Sequence, residues 1–292
     1  MIPTLNPVTA GAGLSLPDYV TLAKNSGFSA VEFSITQAAE IAETQGFAAA
    51  AALFDLNTIL PICFGLPVDW RGDEAKYQDG LKTLPQLAKL AQDLGCSRCT
   101  TWVLPGSSEP VQEYSQRSIA RFREIAKILE EQGVRLGIEF IGPKHFREGT
   151  NDVWFYDIHG ALQVVDEIER GADLENVGLL IDTFHWYTSS GTMMDLAAIP
   201  VEKIVAVHIN DAPDVPVEEQ QDKVRLLPGE SGVIDIVGFL GTLNALGYDG
   251  PLAVETFSEE LKALAPEEAA RRAAAAVSGV LRAADITPVR LV

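Results

Sequence analysis

The sequence predicts a single (β/α)8 TIM barrel, an α/β fold, on three observations. Strand-like and helix-period segments alternate eight times along the chain. The strand-like segments are short apolar runs rich in β-branched residues, the composition expected when both faces of a parallel strand are buried. The length, 292 residues, suits eight βα units, which typically occupy about 250 residues. A doubly wound sheet is the alternative, and it would carry a Gly-rich phosphate turn after its first strand. Gly11-Ala12-Gly13 lacks the third glycine of that turn and does not sit on a strand end. No linker or composition break divides the chain, so one domain is expected over residues 1–292.

The elements follow in order. Residues 2–6 form a first strand, and 16–25 an amphipathic helix closed by Gly27. Residues 30–33 form the second strand, the alanine-rich segment 39–56 a helix with a buried stretch at 47–54, and 58–64 the third strand. A long helix over 73–94 stops at Gly95; the fourth strand is 100–104. The helix over 111–132 stops at Gly133, and the fifth strand is 135–140. A helix over 157–170 leads to the sixth, seventh and eighth strands at 177–182, 204–208 and 252–255. Helices around Met194, over 234–245 and over 266–284 separate or follow them.

Composition narrows the function. The net charge of −19 would repel a phosphate backbone, so no nucleic-acid partner is expected. No apolar run reaches the ~18 residues of a membrane span, and MIPTLNPVTA shows no secretory n- and h-regions. A cytoplasmic location is therefore expected, and Cys63, Cys96 and Cys99, odd in number, fit a reducing compartment. Cys96-Ser-Arg-Cys99 matches CxxC, but it leads into a strand rather than a helix N-terminus and has no second ligand pair. The three thiols are read as buried and inert.

Four strands of the second half end in metal-ligand side chains: Glu139, Asp182, His208 and Glu255, separated by 43, 26 and 47 residues. Each alone could be a solvent-exposed strand-end cap. Four such groups closing apolar runs are more simply explained by one shared cation, because a buried carboxylate without compensation is costly. In a (β/α)8 barrel the active site lies at the C-terminal strand ends, and strands five to eight are neighbours there. Leu136, Ile138 and Phe140 share the helix-facing side, which turns Glu139 to the lumen. Mixed oxygen and nitrogen donors suit one divalent ion, Mn²⁺ first, with Mg²⁺, Co²⁺ and Zn²⁺ as alternatives. Two glutamates beside such an ion suit proton transfer next to a carbonyl through a metal-stabilised enediolate.

Further candidates surround this set. His185, three residues after Asp182, can reach the same cavity and a substrate oxygen. Arg225 lies in the long polar loop after strand seven and offers a guanidinium clamp. His145 follows the Gly142-Pro143 turn after Glu139 and can line the pocket. Trp102 and Glu32, near the ends of strands four and two, are weaker candidates, and His159 is read as surface.

GIEF, NVGLLIDTFHW, VAVHINDAP, RLLPGESGVID and GYDGPLAVETF resemble, in that order, the motifs of the xylose-isomerase-like sugar isomerase/epimerase barrels. The resemblance covers essentially the whole chain and is nearest the inosose (2-keto-myo-inositol) isomerase branch. It implies one divalent ion on Glu139, Asp182, His208 and Glu255, with Glu139 and Glu255 as acid/base pair and His185 and Arg225 on substrate oxygens. Two positions depart from it. His145 stands where ketose 3-epimerases carry a second glutamate, and Ser231 interrupts a turn that many members write PGEG. The expected partner is a small polyol ketone, a keto-inositol or a ketose; self-association is left open. A dehydratase of a keto-inositol or of 3-dehydroshikimate is the nearest alternative. An AP-endonuclease-like repair enzyme and a non-catalytic sugar-binding barrel are further ones.

Overall fold

In a computed structural model, which describes residues 1–289 apart from Leu56, Gly149 and Asn151, eight parallel strands close on themselves in sequence order. They are β1 (Ile2–Leu5), β2 (Ala30–Phe33), β3 (Leu60–Gly65), β4 (Arg98–Val103), β5 (Arg135–Phe140), β6 (Val177–Asp182), β7 (Ile204–Ile209) and β8 (Pro251–Val254). Closure is made by β1 and β8, with Thr4 opposite Ala253 and Leu5 opposite Val254. A doubly wound sheet would leave those edges open.

Helices surround the barrel: α1 (Leu16–Ser26), α2 (Ile35–Gln45), α3 (Phe47–Ala51), α4 (Glu74–Asp93), α5 (Val111–Glu130), α6 (Ile158–Arg170), α7 (Thr183–Thr188), α8 (Met193–Ala197), α9 (Ile236–Ala245), α10 (Glu259–Lys262) and α11 (Pro266–Ala283). Their starts are written locally. Ser15, Ser34, Asp73, Asp157 and Asp235 each accept a backbone N–H three residues on, satisfying a donor the first turn leaves free. The apolar side of the helices packs on Leu136, Ile138, Phe140, Leu179 and Ile181 from the outward faces of β5 and β6, all fully buried.

One expected element differs. The helix anticipated over 39–56 begins earlier, at Ile35, and is divided into α2 and α3. Gly46 causes the break: its φ of 90° and ψ of 154° leave the helical region, where a side chain would be strained. The stretch at 47–54 is only partly buried: Ala50 and Phe54 are inside. Phe47 is 47% exposed, and of α3 only Ala50 is buried, because a run of alanines offers little area to bury. Leu56, the expected end of that helix, lies outside the described residues. The eighth strand ends at Val254, so Glu255 is the first residue past it.

All three cysteines are free and buried. Burial pushes Cys96 up to about 12 and raises Cys63 and Cys99 as well. None has the lowered pKa of a reactive thiol. Among the described residues no helix is long and apolar enough to cross a membrane.

Candidate metal centre and active site

At the C-terminal mouth, Glu139, Asp182, His208 and Glu255 each place one donor atom within 4.8 Å of the others. Strand pairing sets this up: Asp182 is level with His208 across β6 and β7, and Glu255 N–H donates to Ile209 O on β7. Asp182 is also the N-cap of α7. Its Oδ1 accepts the N–H groups of Phe184 (2.7 Å) and His185 (3.1 Å), and its Oδ2 accepts from Asn210 Nδ2 (2.8 Å) and Arg225 Nη1 (3.0 Å). One carboxylate therefore orients both the centre and the helix that carries His185.

The donor set fits a divalent cation. Glu139 Oε1 and His208 Nδ1 are buried, lack hydrogen-bond partners among the described residues, and lie 4.0 Å apart. His208 Nδ1 is also 4.0 Å from Asp182 Oδ2 and 3.3 Å from Glu255 Oε2. Leaving buried acceptors unpaired is expensive, whereas an ion between them would satisfy both. Three carboxylates with one imidazole are the hard, mixed donors that Mn²⁺, Mg²⁺ or Zn²⁺ accept.

The protein charges alone leave this cluster unbalanced. Burial, with Glu255 and Asp182 nearby, holds Glu139 well above the usual carboxylate range. Burial likewise raises Asp182, although Arg225 opposes it. Burial would also raise Glu255, but His208, Arg225 and His185 outweigh it and hold that carboxyl at about 2. His208 is raised against burial by Glu32 and Glu255.

The remaining candidates divide. His185 is fully inside, on α7; Gly142 N–H donates to its Nδ1 (3.3 Å), and its Nε2 faces Glu139 Oε1 and Asp222 Oδ1, each at 3.7 Å. Burial and Arg225 lower its pKa well below the ordinary value, so the ring is neutral. Gly142 is required here, since a Cβ would stand 2.3 Å from His185 O. Arg225 is buried rather than solvated. It donates to Asp182, to Glu255 (2.8 Å), and to the side chain (2.6 Å) and carbonyl (3.0 Å) of Asp222, and its Nη2 lies 3.1 Å from His185 Nε2. Most of its donors are thus committed to protein.

Trp102 lines the cavity, 44% exposed, with the Arg71 guanidinium stacked 3.5 Å from its ring centroid. His145 is half-buried in the short 3₁₀ turn Lys144–Phe146, its ring tilted against that of Phe146, and is absent from the cavity lining. His159 is exposed and pairs with Gln163. Ser231 has a structural place: its N–H and that of Gly232 donate to Asp211 Oδ2 (3.1 and 2.8 Å), and its hydroxyl donates to Ala212 O.

Sequence reasoning missed Asn6, Asn210 and Asp222. Asn6 stands just past β1 and donates to Glu32 Oε2 (2.6 Å) and Glu255 Oε1 (3.3 Å). The signal that marked the other four strands, a polar residue at an apolar strand's end, is present there too. Asp222 carried no such signal, being one acid in an acidic loop.

The cavity above the centre measures about 460 Å³, within the range of small-molecule sites. Its lining includes Asn6, Ser34, Thr36, Thr100 and Thr101 as neutral polar groups, with Glu32, Glu139 and Glu255; the described lining residues contain no lysine or arginine.

Residues 20–281 match the family described as "Xylose isomerase-like TIM barrel". An inosose isomerase of Halalkalibacterium halodurans is 28% identical over 75% of this chain and 74% of its own length. A 3-dehydroshikimate dehydratase of Pseudomonas aeruginosa is 33% identical over 48% of this chain but only 20% of its own length. A xylose isomerase domain protein of Alicyclobacillus acidocaldarius superposes with a TM-score of 0.86 at 32% identity, covering 98% of this chain and 99% of that one. The IOLI protein, whose crystal structure carries a bound zinc atom, superposes with a TM-score of 0.79 at 22% identity over 97% of this chain and 99% of its own.

Proposed function

This chain belongs to the xylose isomerase-like TIM-barrel family, and we propose that it is a divalent-metal-dependent isomerase or epimerase of a polyhydroxy ketone, a keto-inositol or a ketose. The observation that carries the reading is the meeting of Glu139, Asp182, His208 and Glu255 within 4.8 Å at one barrel mouth. Those four residues would hold the ion, with Mn²⁺ the expected metal. When bound, the ion would polarise the substrate carbonyl and offset the charge that develops on its oxygen.

The chain's own side chains do the rest. One of Glu139 and Glu255, in its carboxylate form, removes the proton from the carbon beside the carbonyl, and the electron pair moves into the C–C–O system as an enediolate. The other returns a proton, to the opposite face of the same carbon for epimerisation, or to the adjacent carbon for isomerisation, in which case the neighbouring hydroxyl also passes its proton to the former carbonyl oxygen as it becomes the new carbonyl. The neutral ring of His185, 3.7 Å from Glu139, would hold a substrate oxygen beside it. Arg225 holds Asp182 and Glu255 toward the centre and partly balances their charge. Trp102 forms an apolar wall against the carbon face of the substrate.

The neutral polar lining favours an uncharged substrate. Beyond the two glutamates assigned to the ion and Glu32, which sits on His208, the lining is uncharged apart from His208 itself, and among the described lining residues no lysine or arginine is there to pair with a carboxylate or phosphate. A dehydratase reading is kept for one reason, the partial match to a 3-dehydroshikimate dehydratase; the same enediolate expels a β-hydroxyl as water. The test is solvent-deuterium incorporation into keto-inositols and ketoses with added Mn²⁺. The parent incorporates label, and Glu139→Gln and Glu255→Gln each lose it. Exchange retained in both variants refutes the assignment, and a product short of one water selects the dehydratase.

A further inference from the structure

Glu32, next to last in β2, is a buried carboxylate that the proton-transfer scheme leaves without a task. The parallel register slips beside it: Val31 is level with Pro61 but Glu32 with Cys63, so Ile62 is the extra residue. Both Glu32 oxygens lie at His208 Nε2, at 3.0 and 3.2 Å. Asn6 Nδ2 donates to Glu32 Oε2 at 2.6 Å, and Asn6 is itself fixed by Val8 N–H donating to its Oδ1 at 2.8 Å. The other ring nitrogen, His208 Nδ1, is the one turned toward Glu139, Asp182 and Glu255. A carboxylate on one nitrogen of an imidazole fixes both its tautomer and its ring plane, and so aims the lone pair of the other.

We propose that Glu32, braced by Asn6, is the positioning residue that holds His208 as the Nε2–H tautomer with Nδ1 aimed at the ion. This rests on the reading that the four-residue centre binds a divalent metal. Asn6 also reaches Glu255 Oε1, so the β1 and β2 strand ends act on two ligands of a centre built by β5 to β8. Glu32 touches neither substrate carbon nor metal in this role; it acts through His208.

Zn²⁺ is the probe, because it is diamagnetic and binds imidazole. Long-range ¹H–¹⁵N NMR of the Zn²⁺-loaded parent, which has four histidines, should show one ring protonated at Nε2 and metal-bound at Nδ1, a pattern absent from His208→Gln. A ring metallated at Nε2 overturns the proposal without any Glu32 variant. By chelator competition, Glu32→Ala should lose about 10- to 100-fold in Zn²⁺ affinity, and Glu32→Gln, which keeps an acceptor for the Nε2–H, should recover most of it. A folded Glu32→Ala with parental Zn²⁺ affinity overturns the inference even if its turnover falls, since Glu32 would then act on substrate. A parent that binds no Zn²⁺ removes the metal reading itself, and this inference with it.

Discussion

Replacing Glu139 by glutamine should have opposite effects on the stability of the metal-free and metal-loaded protein. Glu139 is buried, its Oε1 has no hydrogen-bond partner among the described residues, and Glu255 and Asp182 raise its pKa further after burial. A carboxyl raised in the folded state binds more protons there than in the unfolded chain, so stability falls as pH rises from the unfolded value, about 4.3. At neutral pH the metal-free protein therefore carries a penalty that deprotonation creates. Leaving a buried acceptor unpaired costs about 1–3 kcal/mol, and more for a charged one. Glutamine neither ionises nor takes up a proton, and it adds a donor beside two carboxylates, so it avoids the penalty, for which about 2 kcal/mol is a working figure. At about 2–4 °C per kcal/mol for a chain approaching this size, Tm should rise by about 4–8 °C. The assay is thermal unfolding at pH 7.5 in a chelator and again with excess Mn²⁺. In chelator the variant should melt higher; with Mn²⁺ the parent should recover and overtake it, because the ion stabilises only what it binds. A variant that melts below the parent in chelator refutes the reasoning.

Other expectations follow from the same geometry. Arg225→Leu leaves Asp182, Glu255 and Asp222 without their shared cation; removing one partner of such a buried set costs about 3–5 kcal/mol. Urea unfolding should register that loss in chelator, and saturating Mn²⁺ should recover part of it; equal stability with and without the substitution contradicts it. Trp102→Ala should raise KM several-fold while Zn²⁺ affinity stays unchanged, since Trp102 lines the cavity but holds no ligand; an altered metal affinity would place it elsewhere in the mechanism. The thiols, with Cys96 pushed up to about 12 by burial, should react with a thiol reagent only after denaturation. One thiol that labels rapidly in the native protein counts against an inert CxxC.

Much of the site was legible because its signal is local. An apolar strand that ends in a carboxylate or imidazole contradicts its own burial, and the chain writes that contradiction at Glu139, Asp182, His208 and Glu255. Alternation along β5 was enough to direct Glu139 inward. The alanine-rich segment was misjudged because helical periodicity in small residues does not report which side is covered; Gly46 and exposed Phe47 decided otherwise. Arg225 was expected as a free clamp. Its commitment to three acids, from β6, from the residue after β8 and from its own loop, is invisible until those elements meet.

By itself, then, the sequence determined the eightfold alternation, the strand order that follows from parallel βα units, and the identity of the four donors. The reason is that burial and strand period act on residues next to each other in the chain. Tertiary structure alone decided which atoms face one another: that two orphaned donors stand 4.0 Å apart, that Asp182 serves both the centre and α7, and that Glu32, 176 residues from His208, holds its second nitrogen. Such pairings depend on barrel closure and a one-residue slip in register between β2 and β3, and neither leaves a mark on any local stretch of sequence.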